Sequence, residues 1–92
     1  MTPESFRQHA HQLVDWMADY LSNVEQYPVT PPTQPGDILK QLPPQAPDQP
    51  EAFADIFKDF ETKILPGMTH WQHPNFFAYF PASTSPPSLL AE

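Results

Sequence analysis

Two histidines that are three residues apart, His70 and His73, form a pair whose type and spacing suggest a metal site. The spacing would place both rings on one face of a helix, but Pro74 disfavours helical backbone at His73, and no carboxylate in the segment completes a ligand set. We therefore predict no metal site, and we favour two histidines that hydrogen-bond to backbone groups. His9 and His11 point to opposite sides of a helix and are a weaker pair.

The hydroxyl and lysine side chains do not form a catalytic set. The hydroxyls near the C-terminal end have no base paired with them by spacing, and capping of a following helix accounts for them; they are Ser83, Thr84, Ser85 and Ser88. Lys58 and Lys63 lie beside acidic residues, and Lys40 falls in a short predicted helix. A lysine that binds a cofactor needs a desolvated pocket. We therefore expect no catalytic and no cofactor-binding residue in this chain.

An aromatic segment is the remaining candidate for a binding function. Residues 68–81, MTHWQHPNFFAYFP, show neither helical nor strand periodicity, which indicates a loop that tertiary contacts hold in place. Tyr79, Phe80 and Pro81 could fill a core. Alternatively, they could form one wall of an apolar pocket, in which flat rings contact a planar ligand and the tyrosine hydroxyl adds a polar group. Residue chemistry leaves both alternatives open.

Composition limits the elements that can position these residues. The chain has 92 residues, of which 14 are proline, about three times the usual ~5%. The absence of cysteine excludes disulfides, thiolate metal sites and a cysteine nucleophile. A net charge of −7 argues against nucleic acid and anionic membrane surfaces as partners. No apolar run is long enough to span a membrane, and the N-terminus lacks a basic-then-apolar leader pattern, so we expect a cytoplasmic protein.

Apolar periodicity predicts an all-α chain with two long helices and a short one, joined by proline-rich linkers. The first helix spans about 3–26, with Thr2 as its N-cap and Pro3 at its first position. A short helix follows at about 37–42, and a second long helix, capped by Gln49 or Asp48, spans about 50–65. We divide the chain into a helical segment, 1–65, an aromatic loop, 66–85, and a helix start, 86–92, that we expect to continue beyond Glu92.

The first helix carries an apolar stripe that predicts self-association. Its members recur every three or four residues and are Phe6, Ala10, Leu13, Val14, Met17, Tyr20, Leu21 and Val24. The second long helix is too short to cover the whole stripe. We therefore expect a homodimer that forms through helix 1.

Residues 65–81, LPGMTHWQHPNFFAYFP, resemble the N-terminal fingerprint of the pyridoxal-phosphate-dependent group II amino-acid decarboxylases, in particular the aromatic-L-amino-acid (DOPA/tyrosine) branch. The pattern Ser-x-Pro-x-x-Leu-x-Glu over 85–92 is similar as well. The resemblance implies a homodimer of the aspartate-aminotransferase type (fold type I), in which the N-terminal helices form a flap across the partner subunit.

The resemblance also implies roles for individual residues. Tyr79, Phe80 and Pro81 would line the cleft that binds an aromatic amino acid, and Ala82 stands where animal members commonly carry a threonine that touches the substrate. The lysine, histidine and aspartate that hold pyridoxal 5′-phosphate would lie beyond Glu92, so this chain alone would be inactive.

Two alternatives accompany this interpretation. One is a non-catalytic helical module whose stripe over residues 6–24 recognises an unrelated partner. The other is the N-terminus of a different group II decarboxylase or of an aldehyde synthase in the same family, which the sequence does not distinguish.

Overall fold

The computed structural model describes residues 1–80 and 84–92, and all regular structure in them is helical. Four α-helices follow one another: α1 (Pro3–Asn23), α2 (Asp37–Gln41), α3 (Phe53–Asp59) and α4 (Pro86–Ala91). Short 3₁₀ turns occupy Val24–Gln26 and Leu65–Gly67, and a π-helical turn occupies Phe60–Ile64. Residues 1–80 and 84–92 contain no strand, which confirms the prediction of an all-α chain.

The first helix begins as its capping residues predict. The Thr2 side chain accepts from the backbone N–H of Ser5 at 3.1 Å, and the Ser5 hydroxyl in turn accepts from the Thr2 N–H at 3.0 Å. This reciprocal arrangement satisfies two of the N–H groups that a helix start leaves unpaired. The 3₁₀ turn at Val24–Gln26 follows α1, so regular structure covers the predicted span of 3–26.

The apolar stripe of α1 has little cover within the chain. No residue of α1 is buried, and Phe6 at its N-terminal end is 63% exposed. Val24, just after the helix, is the only buried apolar residue in the described part of the chain. An apolar groove of about 180 Å³ runs between α1 and α4 and is lined by Val14, Met17, Ala18, Leu21, Pro86, Leu89 and Leu90.

The chain contacts define two compact units. One joins Met1–Val29 to His70–Glu92, and the other is Thr30–Thr69. The first unit therefore contains α1, most of the aromatic loop and α4, while the second contains α2 and α3. No helix in the described residues combines the length and apolar character needed to cross a membrane.

Within the second unit, a glycine allows the 3₁₀ turn at Leu65–Gly67 to approach α2 closely. A Cβ atom on Gly67 would lie 2.7 Å from Cγ1 and Cδ1 of Ile38, which is inside van der Waals contact. A second glycine, Gly36, has φ 90° and precedes α2, a backbone conformation that suits glycine because it has no Cβ. The structure therefore explains why glycine occupies both positions.

The second long helix differs from the prediction at both ends. The predicted caps, Gln49 and Asp48, are wrong, because the N-cap is Ala52 and no side chain caps the helix. Residues 50–52 are not helical. A helical turn there would bury no apolar side chain, since residues 51 and 52 are exposed. Pro50 also disfavours helical backbone at the residue before it. After Asp59 the backbone forms the π-helical turn at Phe60–Ile64. Within this turn, the Thr62 hydroxyl donates to the Lys58 carbonyl at 2.8 Å.

The last helix begins where the serine and proline pattern places it. Ser85 is the N-cap of α4, and its hydroxyl accepts from the backbone N–H of Ser88 at 3.4 Å. The Ser88 hydroxyl donates back to the Ser85 carbonyl at 2.8 Å. These two hydroxyls therefore have a capping role. Ser83 lies outside the described residues.

Candidate functional site

Two consecutive tight turns shape the aromatic loop after Thr69. The backbone N–H of His73 donates to the His70 carbonyl at 3.0 Å, and the N–H of Phe76 donates to the His73 carbonyl at 3.0 Å. The His70 N–H donates to the Val29 carbonyl at 3.1 Å, which ties the loop to the chain that follows α1. The loop is thus anchored by hydrogen bonds although it has no regular structure.

His70 lies in an aromatic cluster at the C-terminal end of α1. It is 2% exposed, and its Nδ1 lies 2.7 Å from the Tyr20 hydroxyl. The centroid of its ring lies 4.7 Å from that of Tyr27 and 5.6 Å from that of Tyr20. Burial lowers the pKa of His70, and nearby His73 lowers it further. Burial also raises the pKa of Tyr20, so a neutral phenol meets a neutral imidazole at neutral pH.

His73 bonds to backbone groups through both ring nitrogens. Its Nδ1 accepts from the Asn75 N–H at 2.9 Å, and its Nε2 lies 3.1 Å from the Glu25 carbonyl oxygen. An amide N–H can only donate and a carbonyl can only accept, so the proton of His73 must sit on Nε2. The prediction that these histidines bond to backbone groups is confirmed for His73. His70 bonds through its ring to a tyrosine instead.

The same loop presents aromatic rings to its surroundings. Trp71 stacks on Tyr79, with ring centroids 5.6 Å apart and planes inclined by 5°, and on Phe76, with centroids 5.1 Å apart. Tyr79 is 79% exposed and Phe80 is 102% exposed. Tyr79 has φ 58°, and it is the one non-glycine residue with positive φ in the described residues. Surrounding contacts must hold such a backbone, because side chains disfavour the left-handed region.

Two of the four predicted substrate-cleft residues can be located. Tyr79 and Phe80 are both highly exposed, which excludes a core-filling role within this chain. Pro81 and Ala82 lie outside the described residues. Within residues 1–80 and 84–92, no three metal-ligating side chains come together.

The lysines do not fit the cofactor of the family that the sequence resembles. Lys40 and Lys58 are exposed, and Lys63 forms an ion pair with Asp59 at 2.9 Å. A lysine that forms a Schiff base needs a desolvated site with its amine free to react. None of these three positions provides one, so no lysine in the described residues has the surroundings of a Schiff-base lysine.

Sequence reasoning missed the partners of the two histidines. It assigned Tyr20 to the apolar stripe of α1 and gave no role to Tyr27. A usable signal existed, because a buried tyrosine hydroxyl normally finds a hydrogen-bond partner, and a tyrosine in an apolar stripe therefore indicates a polar group opposite it. That this group is His70, fifty residues away, depends on tertiary structure.

Comparison with known proteins identifies the family. The profile described as "Pyridoxal-dependent decarboxylase conserved domain" matches residues 35–92, which is more than half of the chain. The chain belongs to the pyridoxal-dependent decarboxylases. This membership confirms the resemblance of the fingerprint over 65–81, and it favours the enzyme interpretation over an unrelated helical module.

Curated relatives of this decarboxylase chain match it over its whole length. Phenylacetaldehyde synthase of Petunia hybrida and tryptophan decarboxylase TDC2 of Camptotheca acuminata are each 50% identical over 92 residues. Tyrosine decarboxylase 4 of Petroselinum crispum is 49% identical over the same residues. In each case the chain spans 18% of the relative's length.

Solved structures of related enzymes share the fold of this decarboxylase chain. Catharanthus roseus tryptophan decarboxylase, solved in complex with L-tryptophan, is 48% identical with a TM-score of 0.89. Rhodiola rosea 4-hydroxyphenylacetaldehyde synthase is 42% identical with the same TM-score of 0.89. Each comparison covers 98% of this chain and 19% of the solved chain.

Proposed function

We propose that this chain is the N-terminal part of a pyridoxal-phosphate-dependent decarboxylase that acts on an aromatic amino acid. Its own contribution is one wall of the substrate cleft, formed by Tyr79, Phe80, Pro81 and Ala82, and part of a homodimer interface. The cofactor, which supplies the electron sink for loss of CO₂, is held by residues outside this chain. The whole enzyme has the aspartate-aminotransferase type of fold and acts in the cytoplasm.

The exposure of the loop aromatics is the observation that carries the substrate assignment. Tyr79 and Phe80 are 79% and 102% exposed, although both are large rings. Such a cluster on one loop is uncommon unless it contacts something else. Relatives whose names specify tyrosine or tryptophan as substrate are about half identical over the full chain. A planar aromatic side chain is a fitting occupant of a wall made of flat rings.

The incomplete burial of the apolar stripe of α1 supports the dimer. Phe6 is 63% exposed and Val14 is 46% exposed, and no residue of the helix is buried. A face this apolar needs a partner, and a twofold dimer is the commonest closed assembly. We propose that the helical segment, residues 1–65, lies across a second subunit as the flap that the family resemblance implies.

An aldehyde synthase is the second candidate, because two relatives with aldehyde products are 50% and 42% identical. Both candidate enzymes remove the carboxyl group of an aromatic amino acid as CO₂. They differ in the fate of the amine-bearing carbon. A decarboxylase replaces the carboxyl by a proton and releases an amine, whereas formation of an aldehyde oxidises this carbon by two electrons. In that case O₂ is the oxidant and is reduced to H₂O₂, and the amine nitrogen leaves as ammonia.

The test uses the full-length enzyme with its cofactor and offers tyrosine, tryptophan, phenylalanine and DOPA in turn. We expect CO₂ and the corresponding amine in equal amounts, with no oxygen consumption at an oxygen electrode. Aldehyde with oxygen uptake would assign the second candidate. Failure to release CO₂ from any aromatic amino acid, with glutamate or histidine accepted instead, would refute the aromatic substrate class.

A further inference from the structure

Two buried histidines attach the aromatic loop to the end of the first helix. His70 and His73 are 2% and 8% exposed, and they are the buried polar residues of the described chain. Their bonds reach three separate points beside α1: the Tyr20 hydroxyl, the Glu25 carbonyl and the Val29 carbonyl. We call His70, His73 and these bonds the histidine clamp.

The histidine clamp connects directly to the rings of the cleft wall. Trp71 lies between the two histidines in the sequence, so the turn that they form fixes its backbone. The Trp71 ring in turn stacks almost parallel on Tyr79. Tyr79 needs such support, because its φ of 58° is a conformation that a tyrosine does not hold by itself. Contacts therefore run without a gap from α1 through the clamp and Trp71 to Tyr79.

We propose that His70 and His73 are positioning residues for substrate binding, which act by holding the loop that carries Tyr79 and Phe80 at the end of α1. This inference rests on the proposed function, since it assigns the two histidines a role in that same site. Neither histidine contacts the substrate. Their effect on catalysis passes through the orientation of the rings on the loop, so it should appear in substrate affinity rather than in the chemical step.

The chemistry of the clamp explains why histidine is needed at position 73. The ring offers an acceptor at Nδ1 and a donor at Nε2, and the structure uses both, towards Asn75 and Glu25. A glutamine can present an N–H near the position of Nε2, but it does not present an acceptor at Nδ1 as well. A leucine presents neither and leaves two backbone groups without partners.

The decisive experiment compares two single-hydroxyl variants of the full-length enzyme with its cofactor bound. Tyr20→Phe removes the hydroxyl that meets His70 and keeps the ring. Tyr27→Phe is the matched control, because it removes a hydroxyl from the same cluster that does not bond to His70. For each variant we would measure the kinetics with tyrosine and tryptophan and the absorbance of the bound cofactor. We would also measure hydrogen exchange in peptides from residues 70–80.

We expect Tyr20→Phe to raise KM about three- to tenfold, the effect of one net hydrogen bond, and to leave kcat within about twofold. Cofactor absorbance should stay unchanged, and exchange should accelerate over residues 70–80 but not over residues 3–19. Tyr27→Phe should match the wild type. In a second series, His73→Gln should raise KM less than His73→Leu does, because it retains the donor to Glu25.

Three outcomes would overturn the inference. Unchanged exchange over residues 70–80 in Tyr20→Phe would show that the clamp does not hold the loop. Faster exchange with unchanged KM would show that it holds the loop without affecting the substrate. Loss of cofactor with normal KM would indicate a general structural role. A wild-type enzyme that accepts no aromatic amino acid would refute the proposed function instead. In that case the exchange measurement would still test whether the histidine clamp holds the loop.

Discussion

Replacing Phe80 with alanine gives the sharpest test of the proposed cleft wall. The Phe80 side chain is 102% exposed, so within this chain its removal breaks no packing contact. Surface substitutions without such contacts change the free energy of unfolding by no more than about 0.5 kcal/mol. If the ring packs against the substrate, its loss removes about 1.5–3 kcal/mol of apolar burial from the enzyme–substrate complex. A loss of ~1.4 kcal/mol lowers kcat/KM tenfold, so kcat/KM should fall about tenfold to a hundredfold.

The assay measures kcat/KM for the full-length enzyme with tyrosine and tryptophan, together with thermal unfolding and cofactor absorbance. Phe77→Ala is the matched control, because Phe77 is 86% exposed on the same loop but is not assigned to the cleft wall. We expect Phe77→Ala to keep kcat/KM within about threefold of the wild type, since a ring that does not touch substrate contributes nothing to kcat/KM.

A different result would identify a different role for Phe80. A ring that fills the core of the assembled enzyme would cost about 3–5 kcal/mol of stability when truncated, because a cavity would remain. Phe80→Ala would then lower the unfolding temperature by many degrees while KM stayed normal. This outcome would refute the placement of Phe80 in the substrate cleft.

Two further predictions concern assembly and pH. The double substitution Leu13→Asp with Met17→Asp should convert the proposed dimer of the full-length enzyme to monomers or unfold it, as measured by light scattering, because it places two charges on the apolar stripe. Gln12→Asp on the exposed face should leave the mass unchanged, and a wild-type enzyme with the mass of a monomer would refute the proposed dimer. The lowered pKa of His70, which faces Tyr20, Tyr27 and His73, means that the unfolded chain binds more protons than the folded one as pH falls below 6.5. The unfolding temperature should therefore decrease as pH drops below 6.5, and His70→Asn should flatten this decrease; an identical slope in the variant would contradict the assignment.

Local sequence signals determined where the first and the last helix begin. Thr2 and Ser85 each precede a proline at the first helical position, and both serve as N-caps with reciprocal serine partners. Such signals act within four residues of the chain, so no tertiary information is needed to interpret them. The start of α3 was predicted wrongly, because no side chain caps this helix and its first residue, Phe53, is also the first half-buried one after the exposed residues 51 and 52.

The fingerprint over 65–81 determined the family, and its aromatic content indicated a binding loop. Periodicity could not describe that loop, because a segment without a repeat carries no information on which side its residues face. The choice between core filler and pocket wall for Tyr79 and Phe80 was therefore open. The exposed fractions of the two side chains, which only the folded chain provides, exclude core filling within this chain, and their place in the cleft wall stays a prediction.

The histidine clamp belongs wholly to the tertiary structure. His70 meets a hydroxyl fifty residues away, and His73 meets a carbonyl forty-eight residues away. Nothing in the spacing of the sequence encodes these pairs, because their geometry depends on how the chain returns to the end of α1. The sequence determined that two histidines lie three residues apart in an aromatic loop. The tertiary structure decided what they bond to, since hydrogen bonds depend on atoms within about 3 Å and not on neighbours along the chain.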